Sequence, residues 1–396
     1  MPWQEVCVEE LREKMVMEAL AGRRTKAEVA EYFGISRKSV YKWMERYQAH
    51  GREGLIDLSR VPHHLAREIA APVAEEIVRL RLEQPLEGPL KIQAHLKVLH
   101  PQWEIPAPST IGDLIKRREL VKSQRRQRQW PQLNPTLTPA RAPNDVWATD
   151  FKGWFRTRDG ERCDPLTITD LCARYLLRCQ AVEAQDIRSS GPVFEALFKE
   201  FGMPGVMRSD NGSPFASKGI GGLTRLSVQW VKAGIKVEQI EAGHPEQNGC
   251  HERMHRTLKA HTSAPPAATI AQQQERFDRF RDYFNHQRPH QALGQTPPAQ
   301  HYRPSLRQWP ARLEDPWYDA DHQVRRVRTT GEIKWRGEKI FIGESLVGEL
   351  LGIRQLHWGD WLVSFAHMPL ALIDYRSLKL KALGAGVYPL PQTPNP

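Results

Sequence analysis

Residues 116–143 read as a linker between parts of this chain. Lys116, Arg117, Arg118, Lys122, Arg125, Arg126 and Arg128 form a dense basic run, and Pro131, Pro135, Pro139 and Pro143 follow it. Proline removes a backbone donor and breaks helices and central strands, so no regular element can cross this stretch. It reads as a tether whose cations suit phosphate contacts that are non-specific and salt-sensitive. The 396 residues also exceed what one ordinary core organises. The formal net charge of +11 is clustered rather than spread, which points to a polyanionic partner.

On the N-terminal side the pattern is helical. Thr25 and Glu28 fit a capping box opening a helix over 26–33, Gly34 supplies a turn, and Ser36 is a natural cap for the next helix. That helix puts Val40, Trp43, Met44 and Tyr47 on one face and offers Arg37, Lys38, Ser39 and Lys42 near its start. A recognition helix needs this arrangement, because its first turns reach base edges in the major groove. Residues 68–120 repeat the theme, with apolar stripes at Val73, Ile77, Leu80 and at Ile92, Leu96, Leu99. Ser109 or Thr110 is expected to cap a helix carrying Ile111, Leu114 and Ile115. These residues do not decide between DNA contact and packing for the second segment.

From Asn144 the composition changes to alternating strands and helices, which predicts an α/β sheet covered on both sides. Residues 146–151 read as a strand with Asp150 near its end. Residues 165–169 and 174–182 are strands joined by a tight turn. Residues 190–201 are helical, and 205–212 end a strand in a turn at Asp210. A helix over 223–233 and a short strand over 235–240 follow. The stretch 243–259 then passes from a turn (Gly243, Pro245, Gly249) into a helix, where Glu252, Arg256 and Lys259 share one stripe. Asp150, Asp210 and Glu252 thus stand where elements end and can converge although 60 and 42 positions separate them. An apposed carboxylate cluster wants cations. Hard oxygens without His or Cys partners favour Mg²⁺ or Mn²⁺, and two such ions about 4 Å apart suit in-line phosphoryl displacement. Arg256 and Lys259 would hold substrate phosphates. Around this set, His251 and His255 are expected on the surface or facing DNA. Cys250 is expected to pack, Glu246 to serve the helix dipole, and Asp170 to face a turn.

Trp147-Ala-Thr-Asp150, Ser209-Asp-Asn-Gly-Ser-Pro-Phe215 and His244-Pro-Glu-Gln-Asn-Gly-Cys-His-Glu252-Arg-Met-His-Arg-Thr-Leu-Lys259 resemble the three signature segments of retroviral-integrase-like (DDE) transposases. More narrowly, the chain resembles bacterial insertion-sequence transposases, and 283–297 (YFNHQRPHQALGQTP) is also typical of them. The resemblance covers roughly residues 20–375, and three segments in order make it specific. It implies a ribonuclease-H-like core and metal-dependent cleavage at element ends, with transfer of the 3′-hydroxyl into target DNA. Asp150, Asp210 and Glu252 fall on the family's catalytic and metal-binding positions, and Arg256 and Lys259 where such cores often contact DNA. The gap from Asp210 to Glu252 is longer than in retroviral integrases and includes Gly-rich 218–222, read as a loop insertion. No N-terminal His-His-Cys-Cys zinc site is present; His63 and His64 lack a cysteine pair downstream.

Residues 269–300 read as an amphipathic helix ending at Arg288-Pro289. After a Pro-rich crossing, 324–375 turn all-β, with short strands that suggest a small barrel. The expected divisions are a helix-turn-helix domain at 1–65, a second one at 66–122, a linker at 123–143 and an integrase-like core at 144–265. A helical extension at 266–300, a linker at 301–323, a small β-barrel at 324–383 and a disordered tail at 384–396 complete them. The five cysteines form no Cys-x-x-Cys pair, which argues against a zinc ribbon or disulfide scaffold and suits a reducing compartment. With no signal pattern or membrane-length apolar run, the expectation is a cytoplasmic bacterial protein, nucleoid-associated when bound. The reading is a DNA transposase using two Mg²⁺ or Mn²⁺ ions, acting as a homodimer or higher oligomer on element ends and target DNA. A catalytically silent DNA-binding regulator or domesticated transposase is the alternative, and a ribonuclease H acting on hybrids is a second enzymatic one.

Overall fold

The computed structural model describes residues 7–58, 69–121, 137–217, 219–241, 247 and 249–383. The chain divides into two compact units, Met1–Ile69 and Ala70–Pro396.

The first unit packs α1 (Val8–Leu20), α2 (Lys26–Tyr32) and α3 (Arg37–His50) around Val16, Val29, Val40, Trp43 and Leu55. Both expected caps form. Thr25 and Glu28 close the capping box, and the Ser36 side chain accepts from the Ser39 N–H. Gly34 makes the turn between α2 and α3 at φ +64°, a conformation a side chain disfavours.

The second unit opens with α4 (Ala71–Glu83), α5 (Pro89–Leu99) and α6 (Pro108–Arg117), packed on one another. The cap of α6 is Ala107 rather than Ser109 or Thr110, because Pro108 takes the first helical position, where its missing N–H costs nothing.

The sheet that follows contains β1 (Val146–Phe151), β2 (Phe155–Arg156), β3 (Arg162–Asp170) and β4 (Leu176–Val182). After α7 (Ile187–Phe201) come β5 (Val206–Ser209), α8 (Arg225–Lys232), β6 (Lys236–Gln239), α9 (Gly249–Thr262) and α10 (Ile270–Asp282). The main order is β4-β3-β1-β5-β6, with β2 paired to the start of β3. β1, β3 and β4 run antiparallel, whereas β1, β5 and β6 run parallel. Trp147, Ile168, Phe194, Phe198, Phe215 and Trp230 fill the core between the sheet and α7 and α8. A separate apolar cluster joins Leu176 and Cys179 of β4 to Met254 and Leu258 of α9 and to Phe277 and Phe280 of α10. The sheet is therefore covered on both sides, as the alternation of strands and helices predicts. The helix expected over 269–300 ends at Asp282 and passes into a π turn over Tyr283–Gln287. There the Asn285 side chain accepts from Leu176 N–H at 2.8 Å and donates to its carbonyl at 2.9 Å, satisfying the buried outer edge of β4.

The C-terminal strands are β7 (His322–Arg326), β8 (Glu332–Trp335), β9 (Glu338–Phe341), β10 (Leu350–Gln355), β11 (Trp361–Phe365), β12 (Met368–Ile373) and β13 (Leu380–Lys381). They form an open sheet, β13-β12-β11-β10-β7, and a separate hairpin of β8 with β9. The expected barrel is not closed. The hairpin lays Trp335 against Trp361, ring centroids 5.0 Å apart, so it covers the sheet face instead of bridging its edges. Val228 and Val231 of α8 join the same apolar cluster, and Lys232 pairs with Glu349 at 2.8 Å. The β module is thus bound to the mixed sheet through α8. Among the described residues, no helix is long and apolar enough to cross a membrane.

Candidate active site

Asp150 and Asp210 come together through strand register. β1 and β5 are parallel, with Val146 facing Val206 and Ala148 facing Arg208. Two residues further on lie Asp150, in β1, and Asp210, just past the end of β5, so the two carboxylates leave the ends of adjacent strands side by side. The Asp210 turn is tightly built. Its Oδ1 accepts the Gly212 N–H at 3.2 Å, a Cβ on Gly212 would crowd the carboxylate at 3.1 Å, and Asn211 ties the turn to the Ile240 carbonyl.

Glu252 arrives on α9, and the opposite face of that helix sets its position. His251, Met254, His255, Leu258 and Thr262 are buried, whereas Glu252, Arg256 and Lys259 are exposed along one stripe. His251 and His255 turn inward onto Thr167 of β3, each Nε2 lying 2.6 Å from its hydroxyl. Thr167 is the cross-strand partner of Asp150 and donates to the Asp150 carbonyl at 3.1 Å. A buried knot of two imidazoles and one hydroxyl therefore clamps α9 beside the end of β1. The expectation that these histidines face the surface or DNA fails. Positions 251, 254, 255, 258 and 262 repeat as a core stripe does, and that periodicity was the available signal.

A cavity of about 430 Å³ opens between these elements, lined by Asp150, Phe151, Lys152, Glu252, His255, Arg256 and Lys259. Both cations expected to hold phosphate line it, and Lys152 adds a third that the sequence reading missed. Inside it, burial pushes the Asp150 carboxyl up to about 7, the Asp210 charge pushes in the same direction, and Glu252 adds to it; the Phe151 N–H and Lys152 oppose them. Burial alone holds His251 down at about 3. His255 is lowered further by the same burial and by its neighbour His251. Both imidazoles are neutral and able to offer a lone pair. Among the described residues, the three carboxylates do not gather as one tight ligand group; Asp150 groups instead with His251 and His255, one atom from each lying within 4.8 Å of the others.

Of the remaining predicted site residues, Arg37, Lys38 and Lys42 are exposed on the first turns of α3, and Ser39 is half-buried in the Ser36 cap. Arg125 and Arg126 lie outside the described residues, as does Glu246. Asp170 is buried at its turn and accepts from the Asn144 and Ala173 N–H groups. Cys250 is half-buried, and the Arg174 guanidinium donates to its sulfur.

Comparison with known proteins adds the lineage. A model described as an integrase core domain matches residues 233–298, which carry Glu252 and the cationic stripe. A helix-turn-helix domain model matches 11–63, and a homeodomain-like model matches 39–115. An insertion element IS476 uncharacterized 39.2 kDa protein of Xanthomonas euvesicatoria is 28% identical over 211 residues, 51% of this chain and 57% of its own length. An insertion element IS407 uncharacterized 31.7 kDa protein of Burkholderia multivorans is 27% identical over 197 residues, 47% of this chain and 66% of its own length. The chain thus carries a segment matching an integrase core domain and is similar to insertion-element proteins. The match spans under two thirds of the length of either relative. Solved structures that this chain resembles include the HTLV-2 integrase catalytic core domain with magnesium, at TM-score 0.33 and 14% identity over 42% of this chain and all of that one. A simian T-cell lymphotropic virus intasome reaches TM-score 0.37 and 15% identity over 78% of this chain and 99% of that one. At that level the likeness carries no further argument.

Proposed function

We propose that this protein is a DNA transposase that binds the ends of a mobile element, cleaves phosphodiester bonds there and joins the freed strand to target DNA. One observation carries the reading: Asp150, Glu252, Lys152, Arg256 and Lys259 line a single cavity beside Asp210, so acidic ligands and phosphate-holding cations meet at one place. The donor set fits divalent metal. Asp150 is pushed toward its neutral form by burial and by two like charges, a penalty that a bound cation removes. Mg²⁺ or Mn²⁺, two ions in our reading, would be held by Asp150, Asp210 and Glu252 and would activate a water or a 3′-hydroxyl while taking charge on the departing oxygen.

The chain's own groups do the rest. Lys152, Arg256 and Lys259 hold the phosphates that flank the scissile bond. The His251–Thr167–His255 knot keeps α9 seated, so that Glu252 stays beside Asp150. Arg37, Lys38, Ser39 and Lys42 of α3 read element ends, and the basic run through Arg125 and Arg126 adds phosphate contacts along the tether. The domain divisions given by the sequence describe this division of labour. The C-terminal β module serves DNA binding or assembly, and joining two ends calls for at least a dimer. We place the protein in the bacterial cytoplasm, on the nucleoid when bound.

A nicking assay on duplex DNA carrying the element ends tests the reading. Purified protein should cleave with Mg²⁺ or Mn²⁺ and not without. Asp150→Asn should abolish cleavage, a loss of at least about a thousandfold for a core metal ligand, while end binding survives in a gel-shift assay. Undiminished cleavage by that variant refutes the assignment, and a preference for RNA–DNA hybrids would favour a ribonuclease H.

A further inference from the structure

Asp150 Oδ2 lies 3.7 Å from His255 Nδ1. That is too long for a hydrogen bond. Two adjacent donors of an octahedral ion, each about 2.1 Å from the metal, stand roughly 3.0 Å apart, so a closing movement of under about 1 Å lets this pair share one ion.

The proton positions follow from Thr167. Its hydroxyl has one proton and gives it to the Asp150 carbonyl. That carbonyl cannot donate in return. With that proton so placed, both imidazole Nε2 atoms, each 2.6 Å from the same oxygen, carry a proton and donate to its two lone pairs. A neutral imidazole protonated at Nε2 leaves a bare lone pair at Nδ1. For His255 that lone pair lies on the cavity side, facing a carboxylate oxygen that also has nothing to donate when ionised. Two acceptors aimed at each other repel unless a proton or a metal cation stands between them. His251 Nδ1 is the counterpart: a buried ring nitrogen with no hydrogen-bond partner. An orphaned lone pair is the milder defect there; an orphaned N–H would be the costlier one, and this agrees with the same proton assignment.

We propose that His255 is a ligand, through Nδ1, of the divalent ion held by Asp150, and that Thr167 fixes the tautomer that makes it one. The proposal rests on the metal-dependent reading of this site and adds a nitrogen to a set otherwise made of oxygens. An imidazole donor favours Mn²⁺ over the harder Mg²⁺.

The full-length protein loaded with Mn²⁺ alone provides the test. Pulsed electron paramagnetic resonance reads the nitrogen nuclei bound to the ion, and ¹⁵N-histidine labelling identifies them as imidazole. The expected result is histidine nitrogen modulation in the wild type, its loss in His255→Asn, and its persistence in His251→Asn. Mn²⁺ affinity should fall about tenfold in His255→Asn while Mg²⁺ affinity changes far less. His255→Gln replaces the first variant if Asn impairs folding, and the wild-type spectrum stands without either. Mn²⁺ that binds in an Asp150-dependent way without histidine modulation overturns the proposal and leaves the metal reading intact. So does modulation that persists in both His255 variants. Mn²⁺ binding indifferent to Asp150→Asn would strike at the metal reading itself.

Discussion

Asp150 stands at the end of β1 with its carboxyl pushed up to about 7, first by burial and then by the Asp210 charge. Its ordinary value is 3.8, so the folded chain holds a proton there that the unfolded chain gives up. The stabilisation this proton gives is complete below 3.8 and is lost as pH rises through about 7. At pH 8 without divalent metal the site therefore strains the fold. Asn keeps the shape and removes the charge. In chelator at pH 8, Asp150→Asn should be more stable than wild type by on the order of 2 kcal/mol, after discounting for the part of the side chain that water reaches. The gap should shrink towards pH 4. Urea unfolding followed by tryptophan fluorescence at both pH values measures it, and an equal difference at the two would show that the charge is not the cause. The same substitution should abolish cleavage, so a residue whose charge strains the fold is one the chemistry requires.

Helix α3 separates two contributions that a single loss-of-binding result would confuse. Arg37 and Lys42 are exposed on it, whereas Ser36 only caps it. Arg37→Ala and Lys42→Ala should each weaken duplex binding and lower the slope of log affinity against log salt by about 1 for a phosphate contact. Ser36→Ala should cost about 1 kcal/mol of helix stability and leave that slope unchanged. Titrations at several salt concentrations distinguish the two, and an unchanged slope in both cation variants would remove α3 from the DNA interface. At this scale the sequence was readable wherever local chemistry dictates structure. Thr25, Ser36 and Gly34 set caps and a turn, and the alternation after Asn144 marked the strands of the mixed sheet. It was unreadable where a distant group decides. Gly352 of β10 is such a place: a Cβ there would collide with the ring of Tyr318, whose hydroxyl donates to the Leu350 carbonyl. Within the site, Asp150, Asp210 and Glu252 could be found from spacing and resemblance. Thr167 could not, because nothing local in β3 reveals that two histidines 84 and 88 positions away will close on it.

Over the whole of the second unit, the question is how the helices ahead of the tether are held to the helix that carries Glu252. Glu87, buried just ahead of α5, accepts the Tyr283 hydroxyl at 2.5 Å and meets His95 at 2.8 Å, while Lys91 donates to the Pro289 carbonyl. Tyr283 follows α10, which packs on α9. A chain of contacts thus runs from the second helical segment to the candidate active site. Burial alone would raise the Glu87 carboxyl; the hydrogen bonds from His95 and Tyr283 outweigh it and hold the value below the usual 4.5. Stability from this group is therefore present above 4.5 and is lost as pH falls through the lowered value. Tyr283→Phe removes one donor and leaves the ring, costing about 1.5–3 kcal/mol for a hydrogen bond to a charged group. Amides of α5 should exchange faster in this variant, and the acid-side loss of stability should move to higher pH. Amides of β1 and β5, deep in the mixed sheet, should keep their protection, because their own core does not include Glu87. If α5 exchange is unaltered, the helical segment is held to the core by other contacts. If β1 and β5 loosen as well, the docking is part of the core's own folding, and the second segment cannot act as a separable DNA-binding module.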